Sequence, residues 1–228
     1  MKLLALDTAA NLCSAALLDM ESSTLLSEVS HDIGKGHAEQ LMAVLDETLR
    51  GSGHSISDIA KIAVSVGPGS FTGVRVGVST ARGLALALKC PVVGVSTLEA
   101  LAWDARQEAP GRAVLSIIDA RRDELYSQFF SEAGEPLSEP AVNALPAIME
   151  KLQDMGPVVL SGSGAALVNA QLGRALEIAS HRATGSAEAF ARLGASRTAA
   201  GVPSPLYLRG LDVKPQQGFV LKRQEDAQ

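Results

Sequence analysis

Cysteine is scarce in this chain: Cys13 and Cys90 are the two, far apart and outside any Cys-x-x-Cys arrangement. That excludes a disulfide framework and a zinc knuckle, and it fits a reducing cytoplasm. The four histidines, His31, His37, His54 and His181, include no pair at i, i+3 or i, i+4 and no His-Glu-x-x-His, so they predict no metal site. His37, at the start of a helix, reads as a solvent-facing residue rather than a ligand. No serine stands in a Gly-x-Ser-x-Gly elbow, and no carboxylate pair stands out as an acid–base couple. An excess of base is also missing. With 20 Lys and Arg against 25 Asp and Glu the formal net charge is -5, which argues against nucleic-acid binding by the chain's own electrostatics. If RNA is involved, a partner holds it. The apolar run at Met1–Asp7 is too short and too soon interrupted for a signal peptide and reads as a strand.

What is present describes an ordinary soluble protein of one or two domains: 228 residues, 46% hydrophobic and 20% charged. The stretch from Ile62 to Leu88 organises it. Ile62 to Val66 reads as a buried strand; Gly67-Pro68-Gly69-Ser70 supplies a turn and a cap; a helix opens near Phe71 or Thr72 and runs to Leu88. Small residues recur four apart at Gly73, Gly77 and Ala81, and the helix's only charges are Arg75 and Arg82. Those two arginines exclude a membrane span. The three glycines Gly73, Gly77 and Gly83 each cost roughly 1 kcal/mol against alanine, so the close approach of another backbone is expected to offset them. The loop is not a P-loop, and its third glycine arrives one residue late for Gly-x-Gly-x-x-Gly, so it is weak evidence for nucleotide.

In order, the chain reads as strands at Leu3 to Asp7, Leu12 to Leu18 and Thr24 to Ser30, then a helix from about Ala38 to Leu49 ended by Gly53. Ser57-Asp58 caps a short turn before the strand at Ile62. After the glycine helix come a strand Val92 to Val95 and a helix from Thr97 to about Gln107 opened by the capping box Ser96/Glu99. Past the boundary at Ala109–Arg112 the element order repeats in worn form. Strands at 113–119 and 124–130 are followed by a Pro- and Glu-rich connection, a helix at 145–155, a strand at 158–161 and a short helix, and a helix at 187–199 closes the second unit. Pro203 to Arg209 reads as a docked extended segment, and 214–228 as a loose polar tail.

Two hairpin tips concentrate polar residues. Asp7-Thr8 sits where an actin-like ATPase places its first phosphate loop, yet Thr8-Ala9-Ala10 stands where such loops carry glycine, which disfavours phosphate. At the second tip Arg121 and Arg122 have the chemistry to bind phosphate or carboxylate, but Asp119, Asp123 and Glu124 are near enough to neutralise them as a surface network.

Leu-Ala-Leu-Asp-Thr-Ala (3–8), Gly-Pro-Gly-Ser-Phe-Thr-Gly-Val-Arg-Val-Gly (67–77), Gly-Leu-Ala-Leu-Ala (83–87), Val-Gly-Val-Ser-Thr-Leu (93–98), Asp-Ala-Arg-Arg-Asp-Glu-Leu-Tyr (119–126) and Pro-Leu-Tyr-Leu-Arg (205–209) together resemble the TsaB family. The resemblance implies an α/β protein of the actin-like ATPase (ASKHA, RNase H-like) fold with two subdomains, 1–109 and a reduced 110–213. It implies a non-catalytic subunit that pairs with TsaD. TsaE, an ATPase, joins the pair, and the assembly attaches threonylcarbamoyl to the tRNA adenosine beside the anticodon. Where TsaD carries a metal-holding His-x-x-x-His, the matching positions here are Thr97 and Leu101, so neither metal nor cofactor is expected. The surface facing TsaD is expected on the first helix at Leu41, Met42, Leu45 and Leu49 and on the glycine helix at Gly73, Val74, Gly77, Val78, Ala81 and Leu84. The loop residues Asp7, Thr8, Gly67, Gly69, Ser70, Arg121 and Arg122 are the other functional candidates. Monomer and homodimer both stay open for the isolated chain, tRNA is reached only through the complex, and no membrane contact is implied. A metal-dependent peptidase and a stand-alone ATPase are the disfavoured alternatives.

Overall fold

The computed structural model describes residues 1–153 and 155–209, so the tail expected at 214–228 lies outside the described residues. The strands in chain order are β1 (Lys2–Asp7), β2 (Leu12–Asp19), β3 (Thr24–Asp32), β4 (Ile59–Ser65), β5 (Val92–Val95), β6 (Ala113–Asp119), β7 (Glu124–Phe130), β8 (Ala141–Ala144), β9 (Val158–Ser161) and β10 (Ile178–Ser180). The helices are α1 (His37–Ser52), α2 (Phe71–Leu88), α3 (Thr97–Glu108), α4 (Leu145–Gln153), α5 (Ala165–Gln171) and α6 (Ala187–Ser196). None of them is long and apolar enough to cross a membrane.

One plan is used twice. The first sheet runs β3-β2-β1-β4-β5 and the second, read in the matching direction, β8-β7-β6-β9-β10. In each, three antiparallel strands lead into two parallel ones, and helices make the parallel crossovers. The second copy is reduced: its outer strands β8 and β10 have four and three residues, against nine and four for β3 and β5. Those two short strands are the elements that the sequence pattern does not reveal.

The first sheet is covered on both faces, which is why β1 and β2 are apolar at nearly every position. Leu4, Leu6, Ala15 and Leu17 face one core, shared with Leu41 and Leu45 of α1 and Val74, Val78 and Ala81 of α2. Leu3, Ala5, Ala16 and Leu18 face the other, shared with Phe190. That second cover corrects an expectation. The sequence order puts the helix near 187–199 in the second unit, but α6 lies on the first sheet, where Ala187, Ala191 and Phe190 meet Ala63 and Val93. Its small residues allow the close fit: a Cβ on Gly194 would collide with that of Ala63. Lys61 of β4 donates to the carbonyl of Ala195 at 3.0 Å and to that of Arg197, capping the helix's C-terminal end.

The exchange is reciprocal. Helix α3 follows the first sheet in sequence but packs on the second, with Leu98 and Leu101 against Ile118, and Ala102 and Ala105 against Val114 and Phe130. Ser116 and Ser161 of the second sheet donate to the carbonyls of Leu98 and Leu101 at 2.8 and 3.1 Å. Where the exchanged helices meet, the Asp104 carboxylate accepts from the Ser186 N–H at 2.7 Å and from its hydroxyl at 2.6 Å. The packing therefore crosses the expected boundary at residue 109 twice.

Local signals hold with one adjustment. Ser70 caps α2 by accepting from the Gly73 N–H at 3.2 Å, Ser96 and Glu99 form the capping box of α3, and Gly53 closes α1 in the left-handed region at φ 70°. Before β4 the capping serine is Ser55 rather than Ser57, with Asp58 accepting the Ser55 N–H at 2.8 Å.

Candidate functional site

The first candidate is the β1–β2 turn. Asp7 ends a fully covered strand, and its carboxylate is buried: one oxygen accepts the Ala9 N–H at 2.9 Å, the other the Thr184 hydroxyl at 2.7 Å. Burial pushes this carboxyl upward, and hydrogen bonds from Ser65, Thr184 and Ala9, with the field of His37, oppose the push. The Thr8 N–H lies 3.4 Å from the Ser65 hydroxyl, and the Thr8 hydroxyl donates to the Gly73 carbonyl at 2.8 Å. The Ala9 carbonyl accepts from the Ser70 N–H at 2.6 Å. Both turn amides that a phosphate would need are thus committed to the protein itself, and the turn is roofed by the start of α2.

That roof explains the glycines. A Cβ on Gly69 would collide with the Ala9 carbonyl, one on Gly73 with the Thr8 carbonyl, and one on Gly77 with the Thr8 hydroxyl. The expected close backbone approach exists, but it is this chain's own turn. The set named for partner contact is corrected accordingly: Leu41, Leu45, Gly73, Val74, Gly77, Val78 and Ala81 are buried in the first core and are not available to a partner. Of that set, Met42 is 57% exposed, and Leu49 and Leu84 are half-buried. His37 is corrected too. It is buried, with Nε2 3.2 Å from the Leu12 carbonyl, because α1 begins against the first residue of β2. Gly67 is structural as well, its carbonyl accepting from the Thr97 N–H at 2.9 Å while its φ of 92° requires glycine.

The second tip is built differently. Arg121, Arg122 and Asp123 all adopt left-handed φ, at 64°, 58° and 61°, and the Arg121 side chain is 87% exposed. Asp119 accepts the Arg121 N–H at 2.8 Å and lies 3.8 Å from its guanidinium. Glu124 pairs instead with Arg209 of the segment 203–209, which straps this turn to the first sheet: the Leu206 N–H donates to the Val66 carbonyl at 2.7 Å.

The third candidate is the outer face of α1 and α2. On α2 it carries Phe71, Thr72, Arg75, Ser79, Arg82, Gly83 and Leu86, with Leu86 82% and Phe71 49% exposed. Among the described residues nothing lies within 4 Å of where a Cβ on Gly83 would stand. A groove of about 440 Å³ runs between Ala38 and the N-terminal half of α2, lined by Phe71, Thr72, Arg75, Val76, Ser79 and Thr80. The Arg75 guanidinium sits 3.7 Å from the Phe71 ring centre and 5.6 Å from that of Tyr207, and its Nε donates to the Tyr207 hydroxyl at 2.8 Å. Phe71, Arg75, Tyr207, Leu86 and Thr184 are residues that sequence reasoning did not select. The signal for the three on α2, Phe71, Arg75 and Leu86, was present: Arg75 and Arg82 mark the solvent side of the helix, and 71, 75, 79, 82 and 86 fall on it at helical spacing. A larger depression of about 560 Å³, between α3 and α6, is lined by Trp103, Asp104, Glu108, Arg182, Glu188 and Arg192 and mixes both charge signs without a reactive group. Among the described residues no three of His, Cys, Asp and Glu stand close enough to hold a metal ion, and Thr97 and Leu101 are fully buried.

The sequence matches, over residues 25–217, the family described as TsaD: tRNA N6-adenosine threonylcarbamoyltransferase. The chain belongs to this family. Its likeness within the family is to TsaB. It is 40% identical over 126 residues to the tRNA threonylcarbamoyladenosine biosynthesis protein TsaB of Escherichia coli, covering 55% of this chain and 53% of the relative. To TsaB of Bacillus subtilis it is 35% identical over 130 residues, covering 57% and 55%. The chain spans about half the length of the curated relatives it matches. Among solved structures, YeaZ from Pseudomonas aeruginosa superposes with a TM-score of 0.75 at 30% identity, covering 91% of this chain and 99% of that one. The ethanolamine utilization protein EutJ of Carboxydothermus hydrogenoformans, at 10% identity and a TM-score of 0.50, shares the fold alone. The duplicated sheet plan is the actin-like ATPase fold that the TsaB resemblance implies, with a reduced second half.

Proposed function

We propose that this chain is a non-catalytic docking subunit. It pairs with TsaD, TsaE joins the pair, and the assembly places threonylcarbamoyl on N6 of the tRNA adenosine beside the anticodon, with the tRNA held through the complex. We take 1–109 and 110–213 as its two subdomains, locked together by the exchanged helices α3 and α6. The observation that carries the reading is the outer face of α2, where a surface helix exposes Phe71 and Leu86, leaves Gly83 open and bears no acid. A helix face that exposes Phe71 and Leu86 on either side of Arg75 and Arg82, with small residues between, is suited to another protein's helix. The committed amides of the β1–β2 turn speak against a stand-alone ATPase, and buried Thr97 and Leu101, at the positions matched to the TsaD metal ligands, speak against metal chemistry.

Reconstitution tests it. TsaD, TsaE, this chain, tRNA and the small-molecule substrates are combined with each protein omitted in turn, and threonylcarbamoyladenosine is measured by mass spectrometry. The expected result is formation with all three proteins and loss when this chain is left out. Undiminished formation without it contradicts the reading, as does ATP turnover by the chain alone that Asp7→Ala abolishes.

A further inference from the structure

We infer that Arg75 is the receptor for a carboxylate of the docking partner: an Asp or Glu side chain of the TsaD-type chain enters the groove beside α2 and is gripped by the guanidinium. This rests on the reading that the outer face of α2 is the docking face.

Arg75 is exposed yet held. One face of its planar group lies 3.7 Å from the Phe71 ring centre, the Tyr207 ring stands 5.6 Å away, and the two rings are 5.7 Å apart. Nε is spent on the Tyr207 hydroxyl at 2.8 Å. Tyr207 is itself fixed by the strap, which is tied to Val66 at one end and Glu124 at the other. What remains is the terminal edge of the fork, whose two amino groups have no hydrogen-bond partner among the described residues. A guanidinium fixed in orientation loses little freedom on binding, and its fork fits a carboxylate with two parallel hydrogen bonds.

The surroundings select the occupant. Ala38, Thr72, Val76, Ser79 and Thr80 line the groove with small or short side chains, so a helix can approach closely, and their hydroxyls supply further polar contacts. The charges on α2 are Arg75 and Arg82, so its field favours an acidic visitor. A second copy of this chain is a poorer source. Its α2 has no acid, and of the three acids on its α1 Asp46 is engaged with Arg50 at 2.7 Å and Glu47 with His31 at 2.8 Å, which leaves Glu39.

The test measures the affinity of the full-length chain for the TsaD protein of the same organism by calorimetry at low and moderate NaCl, for wild type, Arg75→Met, Arg75→Lys, Tyr207→Phe and Leu86→Asp. Arg75→Met is expected to weaken binding at least about tenfold and to flatten its salt dependence, with an unchanged melting curve. Arg75→Lys keeps the salt dependence but recovers only part of the affinity, because the fork is gone. Tyr207→Phe changes affinity less than about threefold; a loss equal to that of Arg75→Met means that Arg75 acts through the strap and overturns the assignment. If Arg75→Met binds like wild type while Leu86→Asp does not, the assignment falls and the docking face stands. If all variants bind like wild type, the docking face itself is wrong. Loss confined to self-association in sedimentation makes the occupant a second copy and also overturns the proposal.

Discussion

The two faces of α2 carry the same kinds of residue for different reasons. On the inner face Gly73, Gly77 and Ala81 exist because Thr8 and Ala9 lie against them, and a side chain there has nowhere to go. On the outer face no described residue stands over Gly83, and Leu86 and Phe71 are exposed. A small residue on a helix is thus evidence of close packing, but not of whose backbone is packed. The charges settle the side: both arginines lie opposite the glycines that touch the turn.

Substitutions can break this comparison. The largest effect is expected from Gly77→Leu, which drives a branched side chain into Thr8 and Val64 beneath a fixed helix. A loss at the upper end of the about 1–3 kcal/mol usual for overpacking, or beyond it, should appear in chemical denaturation. An unchanged midpoint would mean that the inner face is not packed as described.

One layer deeper, Thr184→Val removes a donor from the buried Asp7 carboxylate while keeping the shape, at an expected cost of about 1–3 kcal/mol near neutrality. The sign with pH follows from burial. Asp7 has its carboxyl raised in the folded state, so its effect on stability is most favourable below the ordinary value of 3.8 and is lost as pH rises through the raised one. Without the Thr184 hydroxyl the charged form is worse off, so the gap between variant and wild type should widen with pH. A pH-independent gap would mean that the cost is packing and not the hydrogen bond.

The smallest expected effect sharpens the contrast. Gly83→Ala on the outer face meets no atom and should stabilise the isolated chain by roughly 1 kcal/mol, the opposite sign from Gly77→Leu. Destabilisation in thermal melts would show that the outer face is covered in the isolated chain.

Much of this architecture was legible in the chain because local chemistry carried it. Ser70 and the glycine-proline loop place the start of α2, the Ser96/Glu99 box places α3, and the apolar runs place β1, β4, β6 and β9. The orientation of α2 is legible in principle from Arg75 and Arg82, whereas the glycine spacing alone points to the wrong face, because the backbone it accommodates is the chain's own turn. The exchange of α3 and α6 was not legible. It depends on contacts such as Asp7 with Thr184, 177 positions apart, and no local pattern records which sheet an alanine-rich helix will cover. Tyr207 was likewise hidden, because only the folded strap brings it to Phe71 and Arg75.

The most direct test of the central claim, that the outer face of α2 is where this chain meets TsaD, is the affinity of Leu86→Asp. Leu86 is 82% exposed, so the variant should melt within a few degrees of wild type. Its complex with TsaD should be at least about tenfold weaker in calorimetry, as expected when a charge is set into an apolar contact. Wild-type affinity together with a wild-type melting curve would contradict the account.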